Sequence, residues 1–330
     1  MYREFDLMGS VLITGGAGFI GLALARYCAN RGDEVILVDN LFKNAGKHDA
    51  DLTGVLEGDR VTFLEADMTS PMDDVPLPSR LDIVYHLAAI NGTRLFYEMP
   101  YEVARTNLLV TLSLLQRLET ISIGRLVYTS TSEVYSGCEQ LGLLKIPTDE
   151  SVPVAFPQPT DRRYSYATSK FAGEFLCLHW GSHRAVPTSV IRYHNVYGPR
   201  MGQKHVIPEF IERAASGEDP FTIYGGVETR AFCYVDDAVE ATCLVGECAN
   251  ADQEIVHVGN AREEIAIRDL AQLVTKRLGK FPPFVEGGRR SSSVLRRCPD
   301  VSKLDKLTGF KARVMLDEGL TRTIPFYANR

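Results

Sequence analysis

The sequence predicts an α/β fold, a doubly wound parallel sheet followed by a smaller C-terminal α/β region, and three observations carry that prediction. An apolar run, Val11-Leu12-Ile13-Thr14, breaks at Gly15, Gly16, Gly18 and Gly21 and resumes with helical spacing as Leu22-Ala23-Leu24-Ala25. Strand and helix patterns then alternate through the first two-thirds of the chain, the arrangement that βαβ units require. Beyond Gly202 the alternation loosens into shorter elements.

The glycine turn meets the steric demands of a dinucleotide site. Gly15 permits the tight turn, Gly18 lets backbone N–H groups approach a pyrophosphate, and Gly21 lets the helix pack close to the strand. A second strand, Glu34 to Val38, ends in Asp39, about 20 residues downstream, where a carboxylate accepts both adenosine ribose hydroxyls. An acid there repels a 2′-phosphate, so this Rossmann fingerprint favours NAD over NADP. A polar, Gly/Asp-rich stretch from Lys43 to Gly58 leads to a third strand, Val61 to Leu64, which reaches Asp67. Leu81 to Ala89 reads as a buried strand running into small residues that leave room for a cofactor. A helix from Val103 to Leu118 carries Asn107 near its start. The strand Arg125 to Ser130 delivers Thr131-Ser132-Glu133-Val134-Tyr135 at its carboxyl end, where ligands sit in open α/β sheets.

Lys145 to Arg163 is rich in Pro and acidic residues and reads as a surface loop. A helix from Tyr164 to His179 and a strand from Val186 to Arg192 follow, the latter opening into Tyr193 to Gly202. Next come an amphipathic helix (Val206 to Ser216), a hairpin-like region (Phe221 to Val235), a helix from Asp236, a strand (Glu254 to Val258), a helix from Arg268 and a short terminal helix. The expected division is an NAD-binding domain over 1–185, with strand segments near 186–200 and 230–260, and a substrate-binding domain from the remainder of 200–330.

With 330 residues, 45% hydrophobic and 24% charged, the composition is that of a soluble globular enzyme. The balance of 36 basic against 42 acidic residues, net −6, gives no global attraction to nucleic acid or a membrane surface. No apolar run reaches the roughly 18 residues of a membrane span. The start, Arg3-Glu4-Phe5-Asp6, is not a basic leader, so a cytoplasmic location is expected. The cysteines number seven, scattered and without a C-x-x-C pair, so neither a metal nor a disulfide is expected.

Tyr166 and Lys170 stand four residues apart on one helical face. A nearby cation, reinforced by a positive nicotinamide ring, is expected to bring the phenol down from about 10. Such a phenolate takes the proton from a sugar hydroxyl as hydride leaves the same carbon, with Thr131 hydrogen-bonding that oxygen.

Several motifs together resemble the extended short-chain dehydrogenase/reductase family of nucleotide-sugar epimerases, dehydratases and decarboxylases, over nearly the whole chain. They are Gly-Gly-Ala-Gly-Phe-Ile-Gly (15–21), Asp39, His86-Leu87-Ala88-Ala89, Asn107, Ser130 to Tyr135, Tyr166-x-x-x-Lys170, Asn195-Val196-Tyr197-Gly198-Pro199 and Thr229-Arg230-Ala231-Phe232-x-Tyr234-Val235-x-Asp237. The resemblance implies NAD as cofactor, a nucleotide-diphosphate sugar as substrate, and a homodimer formed through the helices near 103–118 and 164–179. It places Gly15, Gly18, Phe19 and Ile20 on the pyrophosphate, Asp39 at the adenosine ribose, Asn40 on the cofactor, and Asp67 with Met68 at the adenine. Leu87, Ala88, Ala89 and Asn107 fall on the cofactor side, and Lys170 binds the nicotinamide ribose and poises Tyr166. Asn195, Arg200 and Val206 fall on the substrate side, Tyr224 packs on the nucleotide base and Arg230 clamps the diphosphate. Arg297 resembles a second clamp, in a loop where Arg289, Arg290 and Arg296 are alternatives. His194 and His205 read as structural.

All branches of that family begin with hydride leaving sugar C4 to NAD. Return to the other face epimerises C4; loss of the C5 proton and of water from C6 gives 4,6-dehydration; a C6 carboxylate leaves as carbon dioxide. C4 epimerisation is the first reading by family frequency, with decarboxylation and dehydration close behind. Glu133 offers a base that simple 4-epimerases often lack, and Ser132 stands where dTDP-glucose dehydratases carry an aspartic acid. Thr131-Ser132-Glu133 with Gly198-Pro199-Arg200-Met201 resembles the UDP-glucuronate decarboxylases, and the triplet is also similar to that of GDP-mannose dehydratases. The segment Ile90 to Glu98 follows neither pattern; within it Arg94 is either a carboxylate holder or surface charge. A non-catalytic NAD(H)-sensing protein on the same scaffold would be marked by loss of Tyr166 or Lys170, and both are present.

Overall fold

The computed structural model of the protein describes residues 9–44, 49–288 and 294–328. In chain order its first strands are β1 (Ser10–Thr14), β2 (Glu34–Asp39), β3 (Val61–Glu65), β4 (Arg80–His86), β5 (Ser122–Thr131) and β6 (Thr188–Tyr193). The accompanying helices are α1 (Phe19–Asn30), α2 (Ala50–Leu56), α3 (Thr93–Glu98), α4 (Pro100–Leu118), α5 (Tyr164–Arg184) and α6 (Val206–Ala215). The strands line up as β3-β2-β1-β4-β5-β6, and Ile255–Val258 adds a seventh beside β6. Every pairing in this sheet is parallel.

A parallel sheet is covered on both faces, and the alternation along β1 shows how. Val11 and Ile13 join the core that holds Leu22, Leu24 and Cys28 of α1 and Val239, Cys243 and Val245 of the Val235–Glu247 helix. Leu12, pointing the other way, packs with Leu114 and Leu118 of α4 and Cys177 of α5. The order in which the chain lays down strands reverses at β1 and β4, which are neighbours and parallel. A crevice at the carboxyl ends of the strands opens at such a switch point.

Three expectations change. The Lys43 to Gly58 stretch contains α2, whose start is capped by the Asp49 carboxylate accepting the Leu52 N–H at 3.1 Å. Phe221 to Val235 is not a hairpin: Phe221–Ile223 pairs with Phe284–Glu286, Thr229–Ala231 with Glu264–Ala266 and Arg296–Arg297, and Cys233–Tyr234 with Val196–Tyr197. Each strand finds its partner far along the chain, so local spacing misled. The chain ends in two helices, Ser302–Thr308 and Leu316–Ala328, rather than one. All seven cysteines are free thiols, with the Cys28 and Cys243 sulfurs 3.8 Å apart in the core. Among the described residues no helix is long and apolar enough to cross a membrane.

Candidate active site

The glycine turn is shaped by what cannot fit beside it. Gly15 adopts φ +69°, and a Cβ there would lie 2.8 Å from the Ala88 nitrogen, so only glycine lets β1 meet the loop after β4. At Gly21 a Cβ would run into the Gly15 carbonyl oxygen, which holds α1 close under the turn. Gly18 is the N-cap of α1, and no side chain caps that end. The first N–H groups of the helix therefore need an anionic partner, which is the requirement a pyrophosphate satisfies. Asp39 closes the turn from β2: Oδ1 accepts the Leu41 N–H at 2.8 Å and Oδ2 the Ala17 N–H at 3.2 Å. Burial raises this carboxyl against the pull of those N–H groups. These residues fit a dinucleotide. Asp39→Ala should narrow the preference for NAD over NADP by about tenfold or more, the scale of a charged hydrogen bond; the ratio of the two kcat/KM values checks it, and an unchanged ratio would remove Asp39 from the ribose.

From this turn a cleft of about 1760 Å³ runs across the sheet ends. That exceeds the roughly 1,000 Å³ upper range of small-ligand pockets, leaving room for two nucleotides. Phe19, Ile20, Asn40, Asp67 and Met68 line its first part, and Leu87, Ala88 and Ala89 its floor. Thr131, Ser132, Glu133, Tyr166 and Lys170 stand at the middle. Asn195, Val206, Tyr224, Arg230 and Arg297 line the far part. Tyr224 is half exposed, and Gly287 sits against its ring so closely that a Cβ there would overlap it. Asn195 takes φ +43° and donates from Nδ2 to the Ala231 carbonyl at 3.1 Å, fixing the edge of the cleft.

At the centre, β5 delivers Thr131, whose hydroxyl accepts the Glu133 N–H at 3.2 Å and lies close enough to the Tyr166 phenol to favour its ionised form. The expected lowering of that phenol is not what the protein alone provides. Burial pushes Tyr166 up, and the charge that reaches it is the Glu133 carboxylate, which pushes the same way. Lys170 is buried, its Nζ 4.3 Å from the centre of the Tyr128 ring, and burial pulls its ammonium down to about 8. The helical spacing put both groups on one face, but each is shifted chiefly by its own desolvation.

Glu133 stands among guanidinium groups. Burial alone would raise its carboxyl, but Arg297, Arg163 and Arg230 together hold it below the usual range. Arg297 Nη1 donates to Glu133 Oε1 at 2.6 Å. Arg297 thus reaches the cleft already paired with a carboxylate. Arg230 donates to Glu228 at 3.0 Å and to the Thr229 carbonyl at 2.8 Å, and burial with Arg297 nearby brings it down to about 10. Of the alternatives to Arg297, Arg296 turns outward onto Glu264 at 2.7 Å, while Arg289 and Arg290 lie outside the described residues.

Three residues expected at ligands are paired within the protein. Asn107 is buried away from the cleft: its Oδ1 accepts the Ile90 N–H at 2.7 Å and its Nδ2 donates to Ser169 Oγ at 3.1 Å, so it pins the loop after β4 to α5. Arg200 is paired with both Asp49 oxygens, at 2.5 and 2.8 Å, and donates to the Ala17 carbonyl at 3.1 Å, fastening α2 to the glycine turn. Arg94 sits exposed at the rim in an ion pair with Glu98 at 3.3 Å, the surface-charge alternative. His86 bridges Thr14 at 2.6 Å and Thr111 at 3.0 Å, and burial drops it to about 3. Burial likewise keeps His194 and His205 neutral.

Sequence reading missed Arg163, which joins the charge around Glu133 from the start of α5, and Phe96, which stacks on Tyr166. It also missed the buried pair Arg192–Glu174, whose Nε–Oε1 distance is 2.8 Å, with the Ser130 hydroxyl donating to the same oxygen at 2.5 Å. Glu174 lies one turn beyond Lys170, a spacing that was visible but had no partner until the fold supplied Arg192.

Known proteins resemble this chain along its length. It is 33% identical over 325 residues to a UDP-N-acetyl-alpha-D-glucosaminuronate decarboxylase of Bacillus cytotoxicus, covering 96% of this chain and 97% of that one. The structure of UDP-glucuronic acid 4-epimerase from Bacillus cereus in complex with UDP-glucuronic acid and NAD superposes with a TM-score of 0.82 at 26% identity, covering 97% and 99% of the two chains. A dTDP-glucose 4,6-dehydratase from Streptomyces venezuelae with NAD bound gives 0.84 at 26% identity, covering 97% of each. Both of these structures hold NAD, and since the model of the NAD dependent epimerase/dehydratase family matches residues 11–259, the chain belongs to that family.

Proposed function

We propose that the protein is an NAD-dependent decarboxylase of a UDP-activated hexuronic acid. The observation that carries this reading is the Glu133–Arg297 ion pair at 2.6 Å, set beside the Thr131–Tyr166 couple and backed by Arg163 and Arg230. A concentration of guanidinium groups beside the reacting carbon suits a sugar that brings its own carboxylate. C4 epimerisation, the first reading from sequence, needs Tyr166 and Thr131 alone and leaves that charge without a task. Dehydration needs an acid for the departing hydroxyl, which Ser132 does not provide, and a base at C5, for which a carboxyl held low by three arginines is weak.

NAD, when bound, supplies the hydride acceptor for sugar C4 and a positive charge beside the phenol. Gly15, Gly18 and the start of α1 would hold its pyrophosphate, Asp39 and Asn40 the adenosine ribose, Asp67 and Met68 the adenine, and Lys170 the nicotinamide ribose. Tyr166 takes the O4 proton as the C4 ketone forms, which makes the substrate a β-keto acid. The bond from C5 to the carboxyl carbon then breaks, carbon dioxide leaves, and the electron pair delocalises onto O4. Tyr166, now a neutral phenol, donates to that oxygen with Thr131, and its upward displacement by burial keeps the proton where it is needed. C5 takes up a proton from a solvent water beside the Glu133–Arg297 pair, the hydroxide passing back to solvent, and C4 is reduced again as Tyr166 returns its proton to O4. Tyr224 would pack on the uracil, with Arg230 and the Asn195 and Val206 edge at the diphosphate. The exposed Phe171 and Phe175 on α5 and Leu112 on α4 would meet a second copy in a homodimer.

A second reading, C4 epimerisation of the same uronic acid, is favoured by the likeness to the Bacillus cereus enzyme. Incubation with UDP-glucuronate and with UDP-N-acetylglucosaminuronate, followed by mass analysis of the sugar product, separates the two. Loss of carbon dioxide is expected; a product of unchanged mass means epimerisation, and loss of water means dehydration.

A further inference from the structure

Phe96 of α3 lies face to face with the Tyr166 ring, with centroids 4.7 Å and planes 6° apart. The side chain is almost wholly buried although it belongs to a helix of six residues at the cleft wall. That helix has little stability of its own, yet it is fastened at several points around the start of α5. Asn107 holds Ile90 through both its N–H, at 2.7 Å, and its carbonyl, at 3.3 Å. The same Asn107 reaches Ser169, whose hydroxyl donates to the Tyr166 carbonyl at 2.8 Å. Ser165 Oγ donates to the Phe96 carbonyl at 3.3 Å, and Arg162 Nη1 to that of Tyr97 at 3.3 Å. Every anchor on α5 or just before it thus falls within about one turn of the reacting phenol, and α3 comes from the segment Ile90 to Glu98, which follows neither of the two branch patterns.

We infer that Phe96 is a positioning residue for Tyr166, and that α3 exists to present it. The flat ring blocks the phenol from swinging toward α3 and keeps water off one of its faces, so the hydroxyl stays aimed at Thr131. A reacting atom displaced by about 1 Å can lose on the order of 10²-fold in rate. The inference rests on Tyr166 as the proton acceptor, which every reaction considered above shares.

The charged and titratable groups around the phenol are Glu133 after β5, Tyr128 on β5, Lys170 on α5 and Tyr97 on α3, which packs against the same cluster. On α3, Arg94 pairs outward with Glu98, and on α4 Arg105 pairs with Glu102. Phe96 carries no charge, so its removal changes solvation and geometry alone. Phe96→Ala, Phe96→Leu and Phe96→Tyr are compared with the wild type, each with and without Tyr166→Phe. The ultraviolet difference between each pair isolates the phenolate of Tyr166. Phe96→Ala is expected to lower its titration midpoint by at least about half a pH unit, as water reaches the exposed face. It should also lower kcat about 10- to 100-fold with NAD affinity within twofold, while Phe96→Tyr restores both. Phe96→Leu serves if the alanine variant does not fold. The titration, run with NAD bound so that its positive charge opposes the effect of burial, decides: a midpoint unchanged in the alanine and leucine variants overturns the inference. If the wild type releases no carbon dioxide, the proposed reaction fails while the titration still tests Phe96.

Discussion

Tyr166→Phe should lower kcat by about 10³- to 10⁴-fold, the upper range for a positioned acid–base group. The substitution removes one oxygen and keeps the ring, so the stack on Phe96 and the packing with Val103 remain and the fold is preserved. NAD affinity should stay within twofold of the wild type. The loss falls on both halves of the cycle, because the same hydroxyl accepts the O4 proton and later donates to the oxygen that carries charge as carbon dioxide leaves. Rapid mixing with substrate should therefore show no absorbance of reduced cofactor, not merely slow release of product. Activity within tenfold of the wild type would show that some other group accepts the proton.

Glu133→Gln should separate the steps. The side chain keeps its shape but loses the charge that holds Arg297 at 2.6 Å, leaving Arg163, Arg230 and Arg297 without their shared counterion. Breaking one partner of a partly buried pair leaves the other uncompensated, so Arg297 is expected to move. Carbon dioxide release should fall about 10²-fold or more, while oxidation at C4, which needs Tyr166 and Thr131, continues and reduced cofactor accumulates. Single-turnover absorbance together with trapped carbon dioxide measures the two steps independently. Full carbon dioxide release by the variant would take the ion pair out of the chemistry; loss of both steps together would make Glu133 a support of the whole centre.

The nucleotide half of the site was legible because it is local. The turn from Gly15 to Gly21 and the acid ending β2 are set by sterics within one βαβ unit, and the structure puts them where spacing said. Tyr166 and Lys170 were legible as neighbours on a helix, but their ionisation was not, because it depends on what the rest of the fold buries around them. Arg200 and Arg297 were recognised as important cations, but their protein partners were not legible: Asp49 and Glu133 approach them only after distant strands have paired. The strands Phe221–Ile223 and Thr229–Ala231 failed for the same reason, since two runs close in sequence suggest a hairpin until longer-range partners compete for them. Phe96 carried a hydrophobic signal and no chemical one, so nothing in its own segment pointed to Tyr166.

The seventh strand has a consequence for how the chain is made. β6 must wait for Ile255–Val258, which leaves the ribosome only after α6 and the intervening elements have been synthesised. Until then the bare edge of Thr188–Tyr193 can pair with any extended chain, and a nascent or clipped polypeptide ending before Ile255 would carry that edge permanently. Such fragments are expected to aggregate, and expression of the glycine-turn half alone should yield inclusion bodies, not a small NAD-binding unit.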